Sequence, residues 1–269
     1  GVCYSYWCNH WMLRLSLLKK AGLIKSLVCR VHGFDLYSER HKVGFIPHQA
    51  AMLKSADHVF VISQHGKTYL TNKFALKNIK LSKLGVPDHG LGPIPNQLET
   101  IQIVSCSNLI AVKQVHLIID ALRQVKRNVV WRHFGGGFLS VELKKLAAKL
   151  PENITVIWMG QTSNKNILSF YKNHPVHLFL NVSQSEGLPV SIMEAMSFGI
   201  PVAAPSVGGI PEIVNDSNGY DLGIEKIEEI LATYIQDMNE RLHLKRQNAR
   251  QMYLRNFSLT NFTHFINQI

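Results

Sequence analysis

The sequence predicts an α/β protein built on two parallel sheets, the amino-terminal one incomplete, and three observations carry that reading. Apolar strand runs alternate regularly with helical periodicity through residues 100–222, which indicates a parallel sheet covered on both faces. A shorter alternation occupies residues 1–86. Between them, Gly85-Val-Pro-Asp-His-Gly-Leu-Gly-Pro-Ile-Pro95 holds three prolines and three glycines in eleven residues, the composition of a linker.

Each element follows from its pattern. In the first region strands are expected at Leu27–Val31, His58–Ile62 and Lys80–Leu84, with helices around Ser5–Lys20, Pro47–Ser55 and Gln64–Phe74. Three strands are about half of a doubly wound domain. In the second region the expected strands are Ile101–Cys106, Val129–Phe134, Ile154–Trp158, Val176–Leu180, Pro201–Ala204 and a short Tyr220–Leu222. Helical patterns fall between them at Val115–Val125, Leu139–Leu150, Lys165–Tyr171 and Val190–Phe198. After Asp221 the pattern is wholly helical: Glu225–Tyr234, Leu242–Arg255 and Leu259–Ile269. The expected division is residues 1–95 as a partial amino-terminal domain with its linker, and 96–240 as a ligand-binding domain. Residues 241–269 are then helices crossing back to the amino-terminal domain.

Composition narrows the function classes. With 46% apolar and 17% charged residues the chain is globular. No uncharged apolar run approaches the ~20 residues of a membrane-spanning helix. The net charge of +11 is scattered, with short clusters such as Lys19-Lys20 and Lys144-Lys145 and no aromatic-studded basic stripe, so nucleic acid is not the expected partner. An anionic ligand or an anionic membrane surface fits better. Cys3, Cys8, Cys29 and Cys106 show neither CxxC nor metal-like pairing with His and read as reduced thiols. The location expected is cytoplasmic, peripheral at the inner face of a membrane, where Trp7, Trp11 and Leu13 near Lys19-Lys20 would suit docking although core packing suits them better.

The richest segment is Ser185-Glu186-Gly187-Leu188-Pro189-Val190-Ser191-Ile192-Met193-Glu194-Ala195. A buried strand leads into it, and a Gly-Leu-Pro turn opens a helix between two acids spaced Glu-x7-Glu. Helix N-termini attract phosphate, and carboxylates accept from sugar hydroxyls. Phosphate with hydroxyls describes a nucleotide sugar. Such sheets bind ligands beyond their carboxyl edge, where this segment lies.

Together with Val207-Gly-Gly-Ile-Pro-Glu-Ile-Val214, the run Ser185–Ala204 resembles the signature of retaining glycosyltransferases of family 4, which have the GT-B fold of two Rossmann-like domains. The resemblance covers essentially the whole chain and is most specific over residues 100–222. It implies that Glu186 contacts the donor sugar, that Glu194 accepts from the nucleotide ribose, and that the amides of Gly187 and Leu188 help hold phosphate and sugar. In the loop of Val104–Ala121, Lys113 matches the family's phosphate-binding Lys, while Asn108 stands where the family has Arg. Gly135, in Phe134-Gly-Gly-Gly-Phe138, matches a Gly-x-Gly turn, and Gly160 and Gln161 match backbone contacts to the base. Arg30-Val31-His32-Gly33-Phe34-Asp35 resembles the stretch that faces the donor sugar across the cleft. His32 and Glu186 are therefore the candidate catalytic residues, with Asp35 either assisting the acceptor hydroxyl or capping a turn. Ser63 and Gln64 fall at a strand end and are expected to line the cleft.

The resemblance implies a UDP- or GDP-sugar donor, a lipid-linked or saccharide acceptor, no protein nucleophile, no cofactor and no metal. The family's first amino-terminal strand with its Gly-rich loop is not found, and Gly1 stands in place of Met, so the sequence is expected to be truncated there. Exposed apolar surface and weak turnover are the expected consequences. A non-catalytic nucleotide-sugar-binding fragment is the alternative, and another GT-B activity such as an epimerase or phosphorylase ranks last.

Overall fold

The computed structural model describes residues 1–96, 100–238 and 242–266. The chain divides into two compact units: Gly1–Gly85 with Glu186–Leu188 and Leu259–Ile269, and Val86–Ser185 with Pro189–Ser258.

The first unit carries a four-stranded, wholly parallel sheet in the order β1 (Val2–Ser5), β2 (Ser26–Val31), β3 (His58–Val61), β4 (Ile79–Leu81). Strand β1 was not expected from the sequence. Val2–Ser5 pairs with Ser26–Cys29, and the helix expected from Ser5 starts only at His10, because the Asn9 side chain accepts from the Trp11 N–H at 3.0 Å and caps it. Helices α1 (His10–Lys20), α2 (Gln49–Ser55) and α3 (Gln64–Phe74) complete the alternation. The strand expected at Lys80–Leu84 ends at Leu81. The buried Arg30 guanidinium takes the carbonyls of Ser82 (2.7 Å) and Lys83 (3.1 Å) instead. Apolar side chains remain on this unit's surface: Trp7, Trp11, Leu17, Leu23 and Phe45 are all exposed.

The second unit holds a six-stranded parallel sheet. Its strands are β5 (Ile101–Cys106), β6 (Val129–Phe134), β7 (Ile154–Gly160), β8 (Leu178–Leu180), β9 (Val202–Ala204) and β10 (Gly219–Asp221), in the order β10-β9-β8-β5-β6-β7. Order reversal between β5 and β8 makes a topological switch point. Helices α4 (His116–Leu122), α5 (Ser140–Ala147), α6 (Asn164–Asn173), α7 (Val190–Ser197) and α8 (Ile227–Gln236) cover it. One face buries Ile103, Trp131, Leu178 and Ala203 with Ile118, Ile119 and Leu122 of α4 and Leu231 and Ile235 of α8.

Two boundaries differ from the sequence reading. The Pro/Gly segment after Gly85 belongs to the second unit. Arg246 donates to the carbonyls of Gly92 (3.2 Å) and Pro93 (3.1 Å), Arg250 pairs with Asp88 at 2.7 Å, and the Gly92 N–H donates to the Phe198 carbonyl. Helix α9 (Leu242–Asn256), which supplies those arginines, also belongs there rather than to a crossing-back segment. Only α10 (Leu259–Ile266) groups with the first unit, where Phe265 packs on Phe60 and lies 4.4 Å from the Arg30 guanidinium. Residues 267–269 of that expected helix lie outside the described residues.

Candidate functional site

In the second unit the loops after β5, β6 and β7 lock together by backbone. The Gly135 N–H donates to the Gly160 carbonyl at 2.8 Å and the Leu109 N–H to the Gly136 carbonyl at 2.9 Å. Gly135 sits at φ +134°, and a Cβ there would come within 1.9 Å of the Ser107 carbonyl oxygen, so no side chain fits. Asn108 is exposed on this loop. Lys113 ends a short 3-10 turn, Ala111–Lys113. The Gln161 side chain lies 3.9 Å from the position a Gly136 Cβ would take.

Beneath these loops is a buried relay that the sequence reading missed. Trp131 Nε1 donates to Ser105 Oγ at 2.8 Å; because His133 Nε2 faces a carbonyl and so carries the neutral ring's proton, the Ser105 hydroxyl donates to His133 Nδ1 at 2.8 Å. His133 Nε2 then donates to the Ser107 carbonyl at 3.1 Å. The ring is neutral, its pKa lowered to about 4 by burial. It holds the carbonyl against which Gly135 turns.

Glu194 lies on α7, whose first turn contains no acid. Its Oε1 accepts from Asn164 Nδ2 at 2.7 Å. Burial raises its pKa, opposed by the Asn164 hydrogen bond and by His89. Cys106, at the end of β5, is pushed up to about 11 by burial, with Glu194 adding to the shift and Lys113 opposing it. Glu194, Asn164 and Lys113 thus gather at the carboxyl edge of the sheet. Asn164 was absent from the sequence reading.

In the first unit, His32 follows β2 and is buried against Trp7 (4.2 Å between ring centroids) and Tyr6 (4.6 Å). Burial and then the Arg30 charge lower its pKa to about 4, and neither ring nitrogen has a hydrogen-bond partner among the described residues. Asp35 is a capping residue: its carboxylate accepts from the His32 N–H and the Cys8 N–H, both at 2.8 Å. Ser63 is likewise structural, buried and capping α3 through the Gly66 N–H at 3.0 Å. Glu186 and Leu188, grouped with this unit, are buried. Gly187 approaches Gly33 so closely that a Cβ on Gly187 would lie 3.2 Å from the Gly33 nitrogen. Among the described residues no group of three or more His, Cys, Asp or Glu side chains is placed to hold a metal ion. No described helix is long and apolar enough to cross a membrane.

Comparison with known proteins fits this arrangement. The WcaL protein of Escherichia coli K12, named for colanic acid biosynthesis, is 27% identical over 76% of this chain and 53% of its own length. The lipopolysaccharide 1,6-galactosyltransferase of the same strain is 25% identical over 75% of this chain and 55% of its own. The chain therefore spans about half the length of the curated relatives it matches. Among solved structures, the apo form of the lipopolysaccharide outer core galactosyltransferase WaaB superposes with a TM-score of 0.77 over 96% of this chain and 71% of its own, at 20% identity. Anabaena HepE in complex with UDP-glucose does so with a TM-score of 0.77 over 96% and 75%, at 20% identity. These likenesses show the GT-B fold. Residues 93–252, more than half of the sequence, match the profile of the family described as glycosyl transferases group 1, and the chain belongs to that family.

Proposed function

We propose that this chain provides the donor site of a retaining glycosyltransferase that moves a hexose from a UDP- or GDP-sugar to a lipid-linked or saccharide acceptor. The observation that carries the proposal is the Glu194–Asn164 pair, held at the carboxyl edge of the family-matched sheet. A carboxylate fixed by one amide keeps its other oxygen for ribose hydroxyls. Relatives named for saccharide synthesis and a neighbour solved with UDP-glucose support the substrate class.

In this reading Lys113 offsets the charge that develops on the leaving diphosphate. Asn108 adds a hydrogen bond there but no charge. The amides of Gly187 and Leu188 meet phosphate and sugar, the loop at Gly135 accommodates the ligand's close approach, and Gly160 and Gln161 meet the base. Glu186 orients the sugar, and neutral His32 donates to it. The anomeric C–O bond to phosphate breaks as the acceptor oxygen bonds the same face, and the acceptor proton passes to the departing phosphate oxygen. No metal takes part, so a chelator leaves the rate unchanged. The protein works in the cytoplasm, with the exposed tryptophans of the first unit resting on an anionic membrane. A donor-binding, non-catalytic role is the second reading, favoured by the neutral Asn108.

The test is a thermal-shift screen with UDP, GDP, ADP and their sugars. A ligand at a hundred times its Kd stabilises by about 2.7 kcal/mol, a readily measured rise in Tm. That rise should appear with one nucleotide and vanish in Glu194→Ala. A folded protein that no nucleotide stabilises would sink the donor site, while nucleotide binding without sugar release would select the second reading.

A further inference from the structure

Tyr171, on α6, is only 1% exposed, and its Oη has no hydrogen-bond partner among the described residues. Phenylalanine would fill nearly the same space. An unpaired hydroxyl in the interior therefore costs the fold stability that phenylalanine would not.

Two helices of the second unit bring this hydroxyl toward Glu194. Asn164 and Tyr171 are seven residues apart on α6, two turns along one face. Glu194 on α7 and Phe198 at its C-cap are four apart, one turn along one face. The two faces meet at both ends. Asn164 Nδ2 donates to Glu194 Oε1 at 2.7 Å, and the Tyr171 and Phe198 rings pack edge to face with centroids 5.7 Å apart. A long helical side chain leans toward the N-terminus of its own helix. The phenol thus leans along α6 toward Asn164 and the carboxylate that Asn164 holds. Burial, then Cys106 at the end of β5 and Glu194, hold the phenol's pKa well above its usual value. Among the described residues Asn164 is the only protein donor on the Glu194 carboxylate.

We propose that Tyr171 is a positioning residue for nucleotide recognition: its hydroxyl, idle in the free protein, donates to Glu194 once a ribose covers the carboxylate. The inference rests on the reading of Glu194 as the acid that accepts from ribose hydroxyls. Glu194 is half-buried and still meets solvent in the free protein. A ribose laid over it excludes that solvent, and an ionised carboxylate then needs further donors. The last torsion of a glutamate is soft, so the carboxylate turns to the phenol with Asn164 still on one oxygen. Its roughly four acceptor sites suffice for the amide, the ribose hydroxyls and the phenol. The phenol keeps its proton, and its hydrogen bond to an ionised acceptor is stronger than one to a neutral group.

Titration calorimetry on the full chain tests this with UDP and GDP, each beside its 2′,3′-dideoxy form, which lacks the hydroxyls that Glu194 would accept from. Without ligand, Tyr171→Phe should melt at or above the parent's temperature, because only an unpaired hydroxyl is lost. It should bind the ribonucleotide about tenfold more weakly and the dideoxynucleotide as the parent does. In a Glu194→Ala background, Tyr171→Phe should cause no further loss. Undiminished ribonucleotide binding by Tyr171→Phe, with Glu194→Ala deficient, would overturn this inference and leave the donor site standing. An equal loss with the dideoxy form, or a melting temperature well below the parent's, would make the hydroxyl a structural group and overturn it as well. Undiminished binding by Glu194→Ala would overturn the reading of Glu194 itself, and this inference with it.

Discussion

His32 and His133 stand at corresponding places in their two units, each at the carboxyl end of a parallel strand, each buried, each with a pKa lowered to about 4. Their hydrogen bonds separate them. His133 has both nitrogens satisfied by Ser105 and Ser107, whereas His32 has neither satisfied among the described residues. Burial and a shifted pKa therefore do not identify a working histidine. A satisfied ring is a strut. An unsatisfied one carries a desolvation cost that persists where something else supplies the partner. Both His32 nitrogens are also hidden from solvent beneath Tyr6 and Trp7, so any ligand reaches them only if that cover moves.

The largest effect expected falls on the strut. His133→Leu strands the Ser105 hydroxyl and the Ser107 carbonyl, each worth about 1–3 kcal/mol when left unpaired in the interior. Urea denaturation should show a loss of about 3 kcal/mol, and nucleotide-dependent stabilisation should fall with it as the Gly135 turn loses its support. A loss below about 1 kcal/mol would mean that the relay is ornamental.

His32→Phe inverts the pattern. The phenyl ring keeps the packing on Tyr6 and Trp7 and removes two unpaired nitrogens, so stability should stay within about 1 kcal/mol of the parent or rise. The rate of sugar release from the donor should drop about a hundredfold, with nucleotide affinity retained. A variant that is destabilised yet turns over normally would make His32 a second strut.

The comparison also shows why some of this was legible in the sequence and some was not. Glu186, Glu194 and the Gly-Leu-Pro turn lie within ten residues, so one stretch displays their chemistry. His133 reads only as a strand residue in Val129–Phe134. Its partner Ser105 stands opposite because β5 and β6 pair in parallel with Ser105 beside His133, and register is invisible without the sheet. Asn164 reaches Glu194 from thirty residues away, through the loop after β7. The Pro/Gly segment after Gly85 misled in another way: such composition forbids a ladder but not anchoring, and Arg246 anchors it. Strand β1 was missed because four residues before a helical pattern are too few to show a period.

Acid sharpens the contrast by the smallest of the three effects. A histidine in the unfolded chain takes a proton near pH 6.5, whereas both buried rings stay neutral to about 4. Between those values the unfolded state binds more protons, so stability rises with pH there. Each ring's contribution is fully present above pH 6.5 and is lost as the pH falls toward 4. At about 1.4 kcal/mol per pH unit, His32 alone removes ~2 kcal/mol on going from pH 6.5 to 5. His32→Phe lacks that loss, so its stability relative to the parent should be ~2 kcal/mol more favourable at pH 5 than at pH 7.5 in paired urea titrations. Parallel curves would show that the native ring titrates like an exposed one. The Tyr6–Trp7 cover would then already be open in solution, and the unpaired nitrogens would be meeting water rather than waiting for a sugar.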